Sequence, residues 1–378
     1  MVKMLCRYFN LLSPCYSSKK MLPSPTTQLG LALKMAPSLS HDTSSSSRHS
    51  QVPKRLRIPE YFYDSELKVA GILELSCAKP SDLNNPIHPI FYYRNFHQLS
   101  LPTYETLMPA LRLASLLVTE VHCLEWWVFI LNGHCLPIPD IQKRRSVLIS
   151  IKPITTHHLS ATKDRLLELS DCIGFQFTAQ DSVYGMQIRS RAGRSFQVIK
   201  FSNKFQEFIE DGGFTNSSVS QQLRFLFFFA LNMVHELSHA VFDTRTDSVL
   251  SDEPYTDHDV ESGLLYREIG DSWERFIFGC KIQPLVGKDS YPEECRYGLH
   301  RFTPSAHYED IAFGAVPMGY ICALMSKSRW KAVRKKGICM LKCPEARIHA
   351  RDIIVKRGGE EEGRSSKRVC LLPPTTEL

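Results

Sequence analysis

Two histidines and a glutamate stand close together in the segment LNMVHELSHAVFD, which covers residues 231–243. His235 and His239 are four residues apart, and Glu236 directly follows the first. On a helix, side chains four apart lie on adjacent turns of one face, so both imidazoles can present a nitrogen to one ion at about 2.0–2.1 Å. The carboxylate of Glu236 is displaced to one side, where it can accept a proton from an attacking water. The spacing therefore predicts a zinc site with a general base beside it.

The residues around this motif predict a helix that is buried inside the protein. The segment 223–242 is apolar nearly all round, and Ser218 or Ser220 can cap the start of such a helix. Its polar exceptions share one narrow stripe, formed by Asn232, His235, Glu236, His239 and Asp243. Burying that many polar groups costs free energy unless something satisfies them. A metal held by the two imidazoles would do so, and a hydrogen-bonded pair of core histidines is the simpler alternative.

The sequence HELSHAVFD resembles the active-site helix of thermolysin-type gluzincin metallopeptidases and, more broadly, of the zincins. The likeness covers this helix and the strand-rich stretch before it. It implies an α+β fold in which a mixed sheet packs on the active helix, with an edge strand beside the substrate. Our candidate for that strand is SFQVIKFS, residues 195–202. The resemblance also implies zinc ligation by His235 and His239, and peptide hydrolysis with Glu236 as the general base.

A catalytic zinc also needs a third protein ligand. The metzincin pattern HExxHxxGxxH does not continue here, since Phe242 and Arg245 stand at its Gly and His positions. The gluzincin pattern takes a glutamate from a following helix, and ESGLLYREIGDSWERFIFG, residues 261–279, predicts one. We select Glu268 as the third ligand, with Gly270 allowing the two helices to approach closely. The alternatives are Glu261, Glu274 and His258.

Two further residue roles known from gluzincins are matched less clearly in this sequence: the residue that orients the first histidine and the residue that stabilises an oxyanion. Gluzincins often place an aspartate four residues after the ligand glutamate, where it orients the first histidine. That position holds Ser272 here, with Asp271 one residue before it. The residues that could stabilise an oxyanion are His300, His307 and Tyr308, and no motif selects among them.

Periodicity predicts the elements around the motif. Helical spacing occurs within 104–131 and at 161–170. Alternation of period two predicts strands at 172–180, 184–190 and 195–202. A short helix should follow and end at Gly212 and Gly213.

Charge divides the chain into three parts. Residues 1–57 are rich in Ser and Pro and carry a net charge of +8, residues 58–325 carry −9, and residues 326–378 carry +8. We therefore predict a zincin-like domain at 58–325 between a disordered basic N-terminal segment and a disordered basic C-terminal tail. No uncharged apolar stretch is long enough to predict a membrane span. The cysteines and the lack of a secretory signal favour an intracellular protein of the cytoplasm or nucleus, with mitochondrial import as the alternative.

Two other functions stay open at this point. A non-catalytic zincin-like protein would keep zinc for structure or for binding a partner. The segment EIGDSW is also similar in layout to the ligand segment of SprT-like proteases, which act on proteins bound to DNA. The basic segment KSRWKAVRKKGICMLK could then bind phosphates by charge, although such runs are more often solvated. The partner we expect is a peptide or protein substrate.

Overall fold

The computed structural model describes residues 71–138, 145–179, 185–189, 196–245, 255–256, 268–284, 295, 299–304, 310–344, 348–353 and 368–371. All of them belong to the compact unit that spans residues 57–378. The N-terminal segment 1–57 lies outside the described residues, so its disorder stays a prediction.

Helices and strands are mixed along this part of the chain. The α-helices are α1 (Leu101–Thr119), α2 (Val121–Asn132), α3 (Thr156–Glu168), α4 (Lys204–Glu210), α5 (Val219–Asp243), α6 (Ile269–Phe278), α7 (Met318–Leu324) and α8 (Lys327–Lys336). The strands are β1 (Phe96–His97), β2 (His134–Ile138), β3 (Arg145–Ile149), β4 (Ile173–Thr178), β5 (Gly185–Arg189), β6 (Gln197–Ser202), β7 (Tyr255–Thr256), β8 (Lys281–Pro284), β9 (Leu299–Pro304), β10 (Asp310–Ala315), β11 (Ile348–Ile353) and β12 (Arg368–Leu371).

The strands of the described residues form three sheets. The first has the order β1-β4-β6-β5, with three parallel strands and an antiparallel β5 at one edge. The second is antiparallel and has the order β12-β11-β10-β9-β8. The third has the order β2-β3-β7. Mixed sheets together with helices confirm the predicted α+β class.

The edge strand of the first sheet is not the one that we predicted. Ile199 of β6 pairs with Phe175 on one side and with Gln187 on the other, so SFQVIKFS is an interior strand. Ile199 and Phe201 are fully buried, as an interior strand covered by a helix requires. The edge strand beside α5 is β5.

The helix that carries the two histidines runs through the core. It begins after Ser218, whose hydroxyl accepts a hydrogen bond from the Gln221 N–H, so the predicted cap is confirmed. Phe229 joins the helix to the first sheet, because its ring lies 6.1 Å from that of Phe177 and 5.3 Å from that of Phe201, measured between centroids. The motif helix and the sheet therefore share one aromatic core.

The length and apolar composition of α5 would also allow it to cross a membrane. However, 83% of its most apolar window is buried by the rest of the fold, as expected for a core helix. Helices α1 and α2 pass the same test as a pair, but they are bent by 67° relative to each other.

Arg245 fixes the C-terminal end of α5. Its guanidinium donates hydrogen bonds of 2.7 Å to the carbonyl oxygens of Ile130 and Gly133. These carbonyls lie at the end of α2, where backbone acceptors lack helical partners. The residue at the metzincin histidine position therefore joins two helices.

The other predicted elements are found with shifted bounds. The helical spacing at 104–131 is divided between α1 and α2, because Glu120 adopts an extended conformation between them. Helix α3 starts earlier than the predicted segment 161–170, at Thr156, and ends at Glu168, where a 3₁₀ turn at Leu169–Asp171 follows. Helix α4 ends at Glu210, just before the two glycines.

The C-terminal boundary of the domain was predicted wrongly. Helix α8 lies beyond residue 326, and its Trp330 and Val333 are buried in the main core together with Leu341. The indole N–H of Trp330 donates to the Leu324 carbonyl oxygen at 2.9 Å. Strands β11 and β12 also follow residue 326. Basic side chains dominate the composition of this segment, and composition alone therefore did not reveal the few apolar residues that pack it against the core.

The C-terminal segment should therefore contribute to stability. We expect Trp330→Ala to lower the free energy of unfolding by about 3–5 kcal/mol, since it removes a fully buried indole. Lys331→Ala, on the exposed face of the same helix, should change it by less than about 0.5 kcal/mol. Urea unfolding of the full chain measures both values. Equal effects of the two substitutions would contradict the packing described for α8.

Candidate metal centre

Helix α5 presents His235 and His239 on one face. Their rings lie 5.4 Å apart between centroids, and their side chains are 15% and 14% exposed. Both imidazoles are thus held by the core and remain accessible from one side.

Glu268 faces both imidazoles from the start of α6. Its Oε1 lies 3.2 Å from Nε2 of His235 and 2.5 Å from Nε2 of His239. The three predicted ligands are therefore brought together across the 28 residues that separate Glu268 from the motif.

The donor set fits zinc by its chemistry and by its spacing. One ligand atom from each of the three residues lies within 4.8 Å of the others. Two imidazole nitrogens and a carboxylate oxygen are ordinary zinc ligands, and a tetrahedral ion with bonds of about 2.0–2.1 Å needs ligand atoms about 3.3 Å apart. The His235–Glu268 distance already meets this value. The His239–Glu268 distance would have to open by about 0.8 Å.

The position of Glu268 differs from our prediction, because the helix starts one residue after it. Glu268 is the N-cap of α6, and its Oε2 accepts a hydrogen bond from the Asp271 N–H. A helix N-terminus stabilises an anionic cap. One oxygen of Glu268 therefore caps the helix while the other faces the histidines.

Gly270 allows α6 to approach the motif helix, as predicted. A Cβ atom at this position would lie 2.5 Å from Nε2 and 2.6 Å from Cε1 of His235. Atoms in proteins do not approach so closely, and the neighbour here is a ring fixed in the core. Any larger residue would displace either the His235 ring or the helix.

Glu274 orients His235. Its Oε1 lies 2.9 Å from Nδ1 of His235, and its Oε2 accepts a hydrogen bond of 2.7 Å from the Ile282 N–H. A carboxylate on Nδ1 fixes the ring and leaves Nε2 to face a metal. The sequence indicated Glu274 only as an alternative ligand. No local pattern indicated the orienting role, because Glu274 lies six residues after Glu268 and not four.

The charges in the cluster stabilise one another. Burial alone would lower the pKa of His235, but the carboxylates of Glu268 and Glu274 raise it well above its usual value. Burial alone would raise the pKa of Glu268, but His235 and His239 hold it well below its usual value. Zinc binds neutral imidazole and ionised carboxylate, so zinc and a proton would compete for His235.

An ion pair between a partly exposed lysine and a buried carboxylate lies next to the ligands. Lys281 Nζ is 2.5 Å from Oδ1 of Asp271. Burial and the nearby Glu268 carboxylate raise the pKa of Asp271 to about 7, and Lys281 limits that rise. This pair had no sequence signal, because Lys281 is brought to Asp271 only by the turn between α6 and β8.

Glu236 lies between the motif helix and the edge strand. Its side chain is buried, and a Cβ atom added to Gly185 of β5 would lie 2.7 Å from its Cγ and 3.0 Å from its Oε1. The strand can therefore pass this close only because residue 185 has no side chain. The importance of Gly185 was not apparent from the sequence.

The other residues considered for the site fall elsewhere. His258, Glu261, His307 and Tyr308 lie outside the described residues. His300 is in β9, where only the backbone is described.

Comparison with known proteins adds no assignment. No protein-family model, no curated protein and no solved structure matches the chain. Functional inference therefore rests on the geometry of the cluster.

The close approach at Gly270 leads to a direct test. We expect Gly270→Ala to weaken zinc binding about 10- to 100-fold, because the added methyl group displaces the ring of His235. Gly319→Ala is the matched control, since a Cβ atom there would meet nothing within 4 Å. Competition with a zinc-binding dye measures both affinities. Unchanged zinc affinity in Gly270→Ala would contradict His235 as a ligand.

Proposed function

We propose that this chain is a zinc-dependent peptide hydrolase, with His235, His239 and Glu268 as the metal ligands and Glu236 as the general base. The observation that carries the proposal is a short set of distances. The two imidazoles of α5 and the carboxylate of Glu268 place their ligand atoms within 4.8 Å of one another. A zincin-like architecture is part of the proposal. It is supported by the mixed sheet packed on α5 and by the antiparallel edge strand over the motif.

The exposure of the cluster suits catalysis. Glu268 is 30% exposed and the histidines about half as much, so the ligands are covered on the core side and accessible on the other. A catalytic zinc site needs three protein ligands and one open position, whereas a structural site is closed by four. Three convergent ligands with one accessible side fit the catalytic arrangement.

The edge strand favours a polypeptide as the substrate. Among the described strands, β5 pairs only with β6, so its outer edge has no partner there. An extended peptide can add to such an edge through main-chain hydrogen bonds. Because Gly185 of β5 contacts Glu236, a peptide on this edge would lie beside the proposed base.

The chain's own residues then account for the proton transfers. Zinc, when bound, polarises the scissile carbonyl and acidifies the attacking water. Glu236 accepts a proton from that water while the water oxygen adds to the carbonyl carbon. The C–N bond then breaks, and Glu236 passes the proton to the leaving amine. Glu274 keeps the His235 ring in its orientation throughout.

The proposed base gives the first functional test. Glu236→Gln should reduce zinc-dependent cleavage of a mixed fluorogenic peptide library by about 10²–10⁴-fold while one zinc per chain is retained. The amide keeps the size of the side chain but cannot accept the proton. Glu125→Gln, on the exposed side of α2, is the control and should cleave like the parent. A zinc-loaded parent that cleaves no peptide would favour a non-catalytic role.

The contact between Gly185 and Glu236 gives a second test. Gly185→Ala should lower the cleavage rate about 10- to 100-fold, because the methyl group displaces the carboxylate of Glu236. Zinc affinity should not change, since the three atoms nearest to the added group all belong to Glu236, which is not a proposed ligand. The pair of glycine variants therefore separates the two roles: Gly270→Ala acts on zinc, and Gly185→Ala acts on rate. Loss of zinc in Gly185→Ala would contradict this division.

A further inference from the structure

Three charged residues surround the proposed ligands without being used by the mechanism as ligand or base. Asp271 and Glu274 are three residues apart on α6, and both are buried. Lys281 begins β8, just after this helix. Buried carboxylates require a cation or hydrogen-bond donors, so the partners of these two acids are informative.

The cluster offers a cation two overlapping sets of ligands. The first consists of His235, His239 and Glu268. The second consists of His235, Asp271 and Glu274, whose ligand atoms also lie within 4.8 Å of one another. Both sets include His235, so a neighbouring group must favour one set over the other as the metal site.

Strand β8 engages both acids of the second set. Lys281 Nζ lies 2.5 Å from Oδ1 of Asp271. The next residue, Ile282, donates its N–H to Oε2 of Glu274 at 2.7 Å. One acid is thus neutralised by an ammonium group, and the other is held by a backbone donor.

The same contacts support the first set. The Asp271 N–H donates to Oε2 of Glu268, which leaves Oε1 towards the two histidines. An ammonium group on the Asp271 carboxylate also repels a divalent cation from that side. The Lys281 charge therefore disfavours the second set more strongly than the first, because Asp271 is the carboxylate that it contacts.

We propose that Lys281 is a positioning residue that assigns the metal to His235, His239 and Glu268 by neutralising Asp271 and keeping cations away from it. This inference rests on the proposed metal centre. In this role Lys281 determines which of the two ligand sets binds the metal, and this role is separate from its contribution to folding. Removing its charge should let a cation bind through Asp271, even where the first set has been disabled.

The test uses the full chain and zinc alone, with dissociation constants from competition with a zinc-binding dye. His239→Ala disables the first set and should weaken zinc binding at least about 10-fold. Adding Lys281→Met to that variant should restore affinity by about 10-fold or more, because Asp271 and Glu274 then become available. The matched control, His239→Ala with Lys281→Arg, keeps the charge and should restore nothing. Adding Asp271→Asn to the restored variant should abolish the gain.

Each outcome decides one point. If Lys281→Met gives no gain in the His239→Ala background while the near-UV circular dichroism stays native, the inference is overturned. An equal gain with Lys281→Arg overturns it as well, since the charge would then be irrelevant. If Lys281→Met does not fold, Lys281→Gln replaces it, because the amide also removes the charge.

The proposed function and this inference can fail separately. A parent that binds no zinc overturns both. A parent that binds one zinc, loses it in His239→Ala and shows no restoration overturns only the role of Lys281. A restored zinc site in a protein that cleaves no peptide overturns only the proposed hydrolysis.

Discussion

Ionisable side chains on a helix that packs in an apolar core need hydrogen-bonding or charged partners. This requirement determines which residues lie around α5. His235, Glu236 and His239 interrupt a helix whose apolar side chains belong to the hydrophobic core. Removing such groups from water costs free energy unless hydrogen bonds, opposite charges or a metal replace the lost solvation. Segment 268–274 supplies these partners, because Glu268 lies within ion-pair distance of both histidines and Glu274 is hydrogen-bonded to Nδ1 of His235.

Close backbone approach makes this pairing geometrically feasible. Gly270 admits the ring of His235, and Gly185 admits the side chain of Glu236. The turn from α6 into β8 then adds Lys281 and the Ile282 N–H to the same cluster. Because β8 is an edge strand of the sheet that contains β11 and β12, residues beyond 326 belong to the structure that supports the site. The basic composition of that segment is therefore compatible with a packed fold.

The sequence predicted the parts of the site that depend on local periodicity. The motif helix, its cap at one of two serines and the three strands before it follow from spacing that any short window contains. Strand order could not be predicted in this way, because it depends on pairing between distant segments; hence β6 was mistaken for the edge strand. Glu268 was selected by analogy with a ligand helix, yet its role as N-cap depends on where α6 begins. The functions of Glu274 and Lys281 depend on the turn into β8, which no local pattern reveals.

The most direct measurement is the zinc content of the purified full chain after reconstitution, beside His235→Ala and Glu268→Ala. The convergence of the ligand atoms predicts one zinc per chain in the parent, none in His235→Ala and a reduced amount in Glu268→Ala. A folded parent that holds no zinc after zinc addition would contradict the metal centre. The two histidines would then be a hydrogen-bonded core pair neutralised by Glu268 and Glu274.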